Sequence, residues 1–192
     1  MSVAAFIVVA LAVALNDMLL LRHCAEPFPV RLSAGLVIAF ALATVHTVLF
    51  LGGIALGDLL RIESPSDTTL YNRPNSYIML GLFLIVILKM IFPYLRRNPQ
   101  LPIFNITDNK SIAAMSVASG VNILLIGIGV GFTTPLIGHI HLALWPMLTL
   151  AFLFGYLGIM FGRQKVVMRP LRWMIVICIL LLGIAIASVV NA

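Results

Sequence analysis

Six long apolar runs, separated by short polar breaks, organise the chain. They cover roughly residues 3–21, 33–57, 77–95, 112–132, 140–161 and 171–190. Each is close to the ~20 residues that a helix needs to cross a bilayer. The apolar positions are continuous rather than alternating, which excludes a porin-like barrel. Lipid offers the backbone no hydrogen-bond partners, so helices are the predicted spanning elements. The breaks carry punctuation: Pro27 and Pro29; Pro65, Asp67, Asn72 and Pro74; Arg96, Arg97, Pro99, Pro102 and Lys110; a short turn near Pro135 and His139; and a basic stretch over 162–170. Ala12-Val13-Ala14 has the look of a leader-cleavage site, but no basic residue precedes it and the apolar run continues beyond it. The first run is therefore expected to be a retained helix. The prediction is an all-α polytopic membrane protein with one transmembrane domain over 1–192.

Composition strengthens this picture. Of 192 residues, 62% are apolar and 9% charged, against about 25% charged in a soluble domain. Too little polar surface exists to cover such a core in water. The formal net charge of +6 would suggest nucleic acid in a soluble chain. Here the bases sort by connection instead. Arg22, Arg31, Arg96, Arg97, Lys110, Arg163, Lys165, Arg169 and Arg172 fall after the first, third and fifth runs, against Arg61 and Arg73 on the other side. The positive-inside rule then predicts a multi-pass protein of the inner or plasma membrane with both termini outside. Its expected partner is the bilayer, with no nucleic acid; assembly with further copies of the chain is left open.

Six spans invite a search for two halves of three. A shift of about 105 residues lays Asp17 on Asn122, Thr44 on Thr149, Gly53 on Gly158 and Gly57 on Gly162. Three spans is an odd number, so the halves would be inverted in the membrane. Repeat one would cover about 1–95 and repeat two about 112–192, with a cytoplasmic linker at about 96–111. The Gly53/Gly57 and Gly158/Gly162 steps are predicted to let helix backbones approach closely. Gly127, Gly129 and Gly131 form a denser run, which either packs or unwinds the fourth helix toward a cation.

Ionisable residues inside a bilayer are costly and draw attention to function. Asp17, His46 and Lys89 are the ionisable residues within the runs, with Asn16 and Asn122 as neutral companions. Asp17 and Lys89 fall about 7 Å and about 10 Å inside the same boundary at the helical rise per residue. They could form a structural ion pair, or Asp17 could take a substrate while Lys89 tunes it. His46 is a candidate ligand, proton carrier or interhelical hydrogen-bond partner. His139 and His141 are expected to be solvated. Asp58 would mark an interface. Cys24 and Cys178 form no CxxC pair, and no Ser/His/Asp pattern, phosphate loop or zinc-protease helix is visible. The expectation is a non-enzyme without a resident cofactor.

These residues and their layout resemble the MntP-type manganese efflux pumps within the LysE-like exporter group. The resemblance is carried by Asn16-Asp17-Met18, by Gly35 through Val45-His46-Thr47 to Gly57, by Leu88-Lys89-Met90-Ile91, by Ser119-Gly120-Val121-Asn122 through Gly131-Phe132, and by Leu157-Gly158 through Gly162-Arg163. It implies export of a divalent metal cation by alternating access, with Asp17, Asn122, His46 and Asn16 at the site and Lys89 as charge partner. This chain departs from the family in having Asn122, His46 and Lys89 where the family has Asp, an acidic residue and Arg. Carboxylate and carbonyl oxygen suit Mn²⁺, whereas imidazole suits softer metals. Two other functions fit the residues: a LysE-like exporter of a small organic solute, with Asp17 and Lys89 as a charge pair for a zwitterion, and a non-transporting scaffold subunit.

Overall fold

A computed structural model describes residues 3–62, 72–95, 103–134 and 140–190. Arg96, Arg97, His139 and the prolines at 65, 99, 102 and 135 lie outside the described residues. The described residues form α1 (Val3–Ala25), α2 (Leu32–Leu59), α3 (Asn72–Leu95), α4 (Asn109–Thr133), α5 (Ile140–Arg163) and α6 (Pro170–Val190). All six are long and apolar enough to cross a membrane. Among the described residues the protein is thus all-helical, with six helices able to span a membrane, as the hydrophobic runs predict. The helices outrun the apolar stretches at several ends, because polar residues such as Arg22 and His23 extend α1 into the boundary region.

The principal helix contacts close a ring in the order α1–α5–α2–α4–α3–α6 and back to α1. Exchanging α1 with α4, α2 with α5 and α3 with α6 maps these contacts onto themselves. α1 is apolar all round, and Phe6, Val9, Ala12, Val13 and Leu15 bury in the main core. α6 is one-sided. Met174, Ile177, Cys178, Leu181 and Ala185 recur at helical spacing and face inward, while Ile179 and Ile186 remain exposed for lipid.

Small residues set the closest crossings. A β-carbon on Gly53 or Gly57 would overlap the α4 backbone at Leu124 and Ile128, and one on Gly127 or Gly131 would overlap α2. Gly158 and Gly162 meet α1 at Met18 and Arg22 in the same way. The predicted packing role of all four Gly-xxx-Gly residues is therefore seen in the geometry. The alternative for Gly127 to Gly131, an unwound segment, is not what forms: α4 is continuous to Thr133. These glycines seat neighbouring helices, with Gly129 lying against Phe83 and Met79.

Arg22, Arg31, Lys110, Arg163, Lys165, Arg169 and Arg172 gather at one end of the bundle, here called the basic end. Two connections close over it. Ile106 is fully buried against Leu21, Cys24 and Met115, and Asp108 caps α4 by accepting from Ser111 N–H at 3.1 Å. Arg22 donates through Nε and Nη2 to the Val166 carbonyl at 3.1 and 2.7 Å, which ties α1 to the α5–α6 connection.

Candidate functional site

A hydrogen-bonded chain crosses the interior of the ring. His46 lies on the buried stripe of α2 that runs from Ile38 and Leu42 to Phe50 and Gly53. Its Nδ1 is 2.8 Å from Asp17 Oδ2 on α1, and its Nε2 is 2.9 Å from Ser119 Oγ on α4. Asp17 and His46 are both 0% exposed. Asp17 Oδ1 is also buried and has no hydrogen-bond partner. Ser119 Oγ lies 2.8 Å from the Met115 carbonyl, to which it donates within its own helix turn.

This arrangement decides one question and opens another. Asp17 pairs with His46, not with Lys89. Among the described residues Lys89 has no hydrogen-bond or ion-pair partner. Lys89 is exposed on α3; a long side chain extends its amine toward water more cheaply than toward a buried carboxylate. The order Asp–His–Ser is also that of a charge-relay triad, although nothing in the sequence spacing shows it, because the three residues come from three helices. Such constellations are recognised by geometry rather than by position.

Beside the chain lies a cavity of about 200 Å³ that runs in from the basic end between α1, α3, α4 and α6. Arg22, His23, Lys89, Tyr94 and Phe104 line its outer part, and Asn16, Ser119 and Asn122 its inner part. Met90, Met115 and Met174 supply apolar wall between them. Asn122 Oδ1 and His23 Nε2 are buried without partners. A much smaller apolar pocket continues inward, sharing Asn16, Asn122 and Met90 and closed by Val13, Ile126 and Leu181. Beyond Asn16 and Asn122 the space narrows and its lining becomes apolar.

The packing register relates the two asparagines. Gly53 meets α4 at Leu124 where Gly158 meets α1 at Met18, and Gly57 meets Ile128 where Gly162 meets Arg22. The glycines of each pair are 105 residues apart, but their partners are 106 apart. Asn122 then corresponds to Asn16, not to Asp17 as the 105 shift has it. Both asparagines face the cavity, whereas Asp17 points away to His46.

The predicted site residues therefore fall into two groups. Asp17 and His46 form the buried pair; Asn16, Asn122 and Lys89 line the cavity; Ser119 belongs to both. Among the described residues no group of three or more His, Cys, Asp or Glu side chains gathers to hold a metal. His46 uses both ring nitrogens within the protein, and the charged groups along the cavity are basic. Arg22 is partly neutralised by Glu26 at 3.6 Å, which leaves Lys89 as the more open cation. Ser119, Arg22, His23 and Tyr94 were not singled out as site residues by sequence reasoning. The available signal for Ser119 was a stripe on α4, since Ser116, Ser119 and Asn122 recur every three residues on an otherwise apolar helix.

The fold and site define a multi-pass membrane protein with an interior cavity lined by both apolar and polar side chains. The chain matches no protein-family profile, no curated protein and no solved structure.

Proposed function

We propose that the protein is a secondary-type transporter of the cell membrane that exports a small organic solute carrying an anionic group. The observation that carries this reading is the cavity. It reaches from the basic end to Asn16 and Asn122, is rimmed by cationic groups, and narrows there to an apolar lining. A one-sided cavity ending between helices of two halves is what alternating access requires. The self-mapping helix contacts support the reading of those halves as inverted three-helix repeats. The positive-inside rule would make the basic end cytoplasmic and the termini external, so the cavity would load from inside the cell.

The substrate follows from the lining. Lys89, with Arg22 and His23 nearby, favours a carboxylate or similar anion. The unpartnered Asn122 Oδ1 favours a donor on the same molecule, an N–H or O–H group. A zwitterion or hydroxy acid satisfies both, in keeping with the resemblance to LysE-like exporters. The metal cation implied by the resemblance to MntP-type pumps draws less support. Asp17 does not line the cavity, and a divalent ion entering it would meet basic groups first.

The test is a thermal-stability panel on the full chain in detergent, with free amino acids and hydroxy acids against Mn²⁺, Co²⁺, Zn²⁺ and Cd²⁺. Stabilisation by a carboxylate-bearing solute, lost in Lys89→Met, is expected. Stabilisation by a metal, lost in Asp17→Asn and retained in Lys89→Met, would overturn the organic-solute reading in favour of metal transport.

A further inference from the structure

We propose that Asp17, His46 and Ser119 form a proton relay that joins the buried carboxylate to the cavity and couples solute movement to proton movement. This rests on the cavity being the solute site. Three observations carry it. The two hydrogen bonds are 2.8 and 2.9 Å. The inner end is a carboxylate whose second oxygen has no partner. The outer end, Ser119, stands in the cavity wall.

Counting hydrogens shows why the chain has two states. Ser119 has one hydroxyl hydrogen and three acceptors within reach: His46 Nε2, the Met115 carbonyl and, at 3.4 Å, the Ser116 carbonyl. An ionised Asp17 only accepts, so Nδ1 carries a hydrogen. With neutral His46, Nε2 is an acceptor and Ser119 must turn its hydrogen to it. With His46 protonated, Nε2–H donates to Ser119 Oγ, and Ser119 donates to Met115. Every link is then satisfied at once. The balanced step passes the Ser119 hydroxyl proton to Nε2 while a proton from cavity water, or from the solute's own ammonium or hydroxyl group, replaces it on Oγ. Transfer of the Nδ1 proton to Asp17 Oδ2 would complete the path inward. No bond other than O–H and N–H forms or breaks.

The surroundings isolate this path. On α2 no charged side chain lies between Arg31 and Asp58, and α4 carries none from Ser111 to Thr133. α5 contributes His141 and Arg163 near its ends and uncharged Tyr156 between them, and α6 contributes Arg172 near its start and Cys178. The groups near the cavity end of the relay are Arg22 and His23 from α1 and Lys89 and Tyr94 from α3. Because the links join α1 to α2 and α2 to α4, any rearrangement that separates these helices interrupts the relay. That is the property a coupling device needs.

The test uses the full chain with ring-¹⁵N histidine in phosphatidylethanolamine/phosphatidylglycerol nanodiscs, with the His46 signals assigned by their loss in His46→Gln. Asp17→Asn should change the His46 Nδ1 proton signal, because it alters the acceptor that lies 2.8 Å away. Ser119→Ala should slow exchange of the Nε2 proton with water by roughly a hundredfold, within the usual range for a positioned proton-transfer group, and Ser119→Thr should restore it. Equal exchange rates in wild type and Ser119→Ala would overturn the relay, as would an Nδ1 signal unchanged in Asp17→Asn. Covalent labelling of Ser119 by a fluorophosphonate would also overturn it, showing the chain to activate a nucleophile instead. Solute stabilisation measured on the same discs separates the two readings. Its presence with a failed relay leaves the transporter standing, and its absence with a working relay removes the solute.

Discussion

Asp17 Oδ2 and His46 Nδ1 meet at 2.8 Å between two helices, and neither side chain reaches the surface. Removing one member of such a pair strands the other, which costs about 3 kcal/mol. Replacing both by apolar groups removes the polar demand altogether. Asp17→Leu and His46→Leu are each expected to lower the unfolding midpoint of the detergent-solubilised protein. The double variant is expected to lie above either single one. Strict additivity of the two losses would show that the pair is not coupled.

Asn122 offers the opposite trade. Its Oδ1 is buried without a partner beside a cavity, so the fold carries a desolvated acceptor there. Asn122→Leu removes that acceptor and fills part of the space. It is expected to raise stability by about 1 kcal/mol while abolishing solute-dependent stabilisation. A melting curve with and without solute reads both quantities. Loss of stability on this change would mean that Asn122 serves packing instead.

Most of the fold was legible because lipid solvent leaves long, continuous apolar runs. Runs such as 171–190 admit little but a membrane helix, and α6 lies over Pro170–Val190. The site was legible only in part. Asp17 and His46 stood out because ionisable groups are rare in such runs, but their pairing was not readable. Lys89 lies at a similar depth along its helix, and only the rotation of α1 and α3 about their axes decides that it lines the cavity while Asp17 faces α2. Ser119 was hidden for another reason. Serine is common in membrane helices, and its importance comes from His46, which is distant in sequence. The offset of 106 between the α1 and α4 contact positions, against 105 between the glycines that meet them, was not readable either, since many registers align helices rich in Leu and Gly.

The glycines separate close packing from mere flexibility. Gly57 lies against the Ile128 carbonyl and the Gly131 backbone, whereas nothing lies within 4 Å of a β-carbon at Gly183. Gly57→Ala is expected to destabilise by about 1–3 kcal/mol through overpacking. Gly183→Ala, by improving helix propensity, should be neutral or stabilising by up to about 1 kcal/mol. Chemical denaturation in mixed micelles measures both. Equal effects at the two positions would remove the claim that α2 and α4 are in backbone contact.

Arg22 joins two parts of the basic end. Its Nε and Nη2 both donate to the Val166 carbonyl, and the intervening α5–α6 turn includes Lys165 with φ 50°. That φ is in the left-handed region, where a non-glycine residue is uncommon and needs support. A charged donor on a carbonyl contributes about 1.5–3 kcal/mol, enough to hold the turn in place. Arg22→Leu should therefore free the turn locally without unfolding the bundle. Lys165, Arg163 and Arg169 make the segment a trypsin target, so cleavage there should accelerate in Arg22→Leu by about tenfold, the factor that 1.4 kcal/mol represents. An unchanged cleavage rate in Arg22→Leu would show that the turn is held by other contacts, and that Arg22 is free to act as a second cation for the solute.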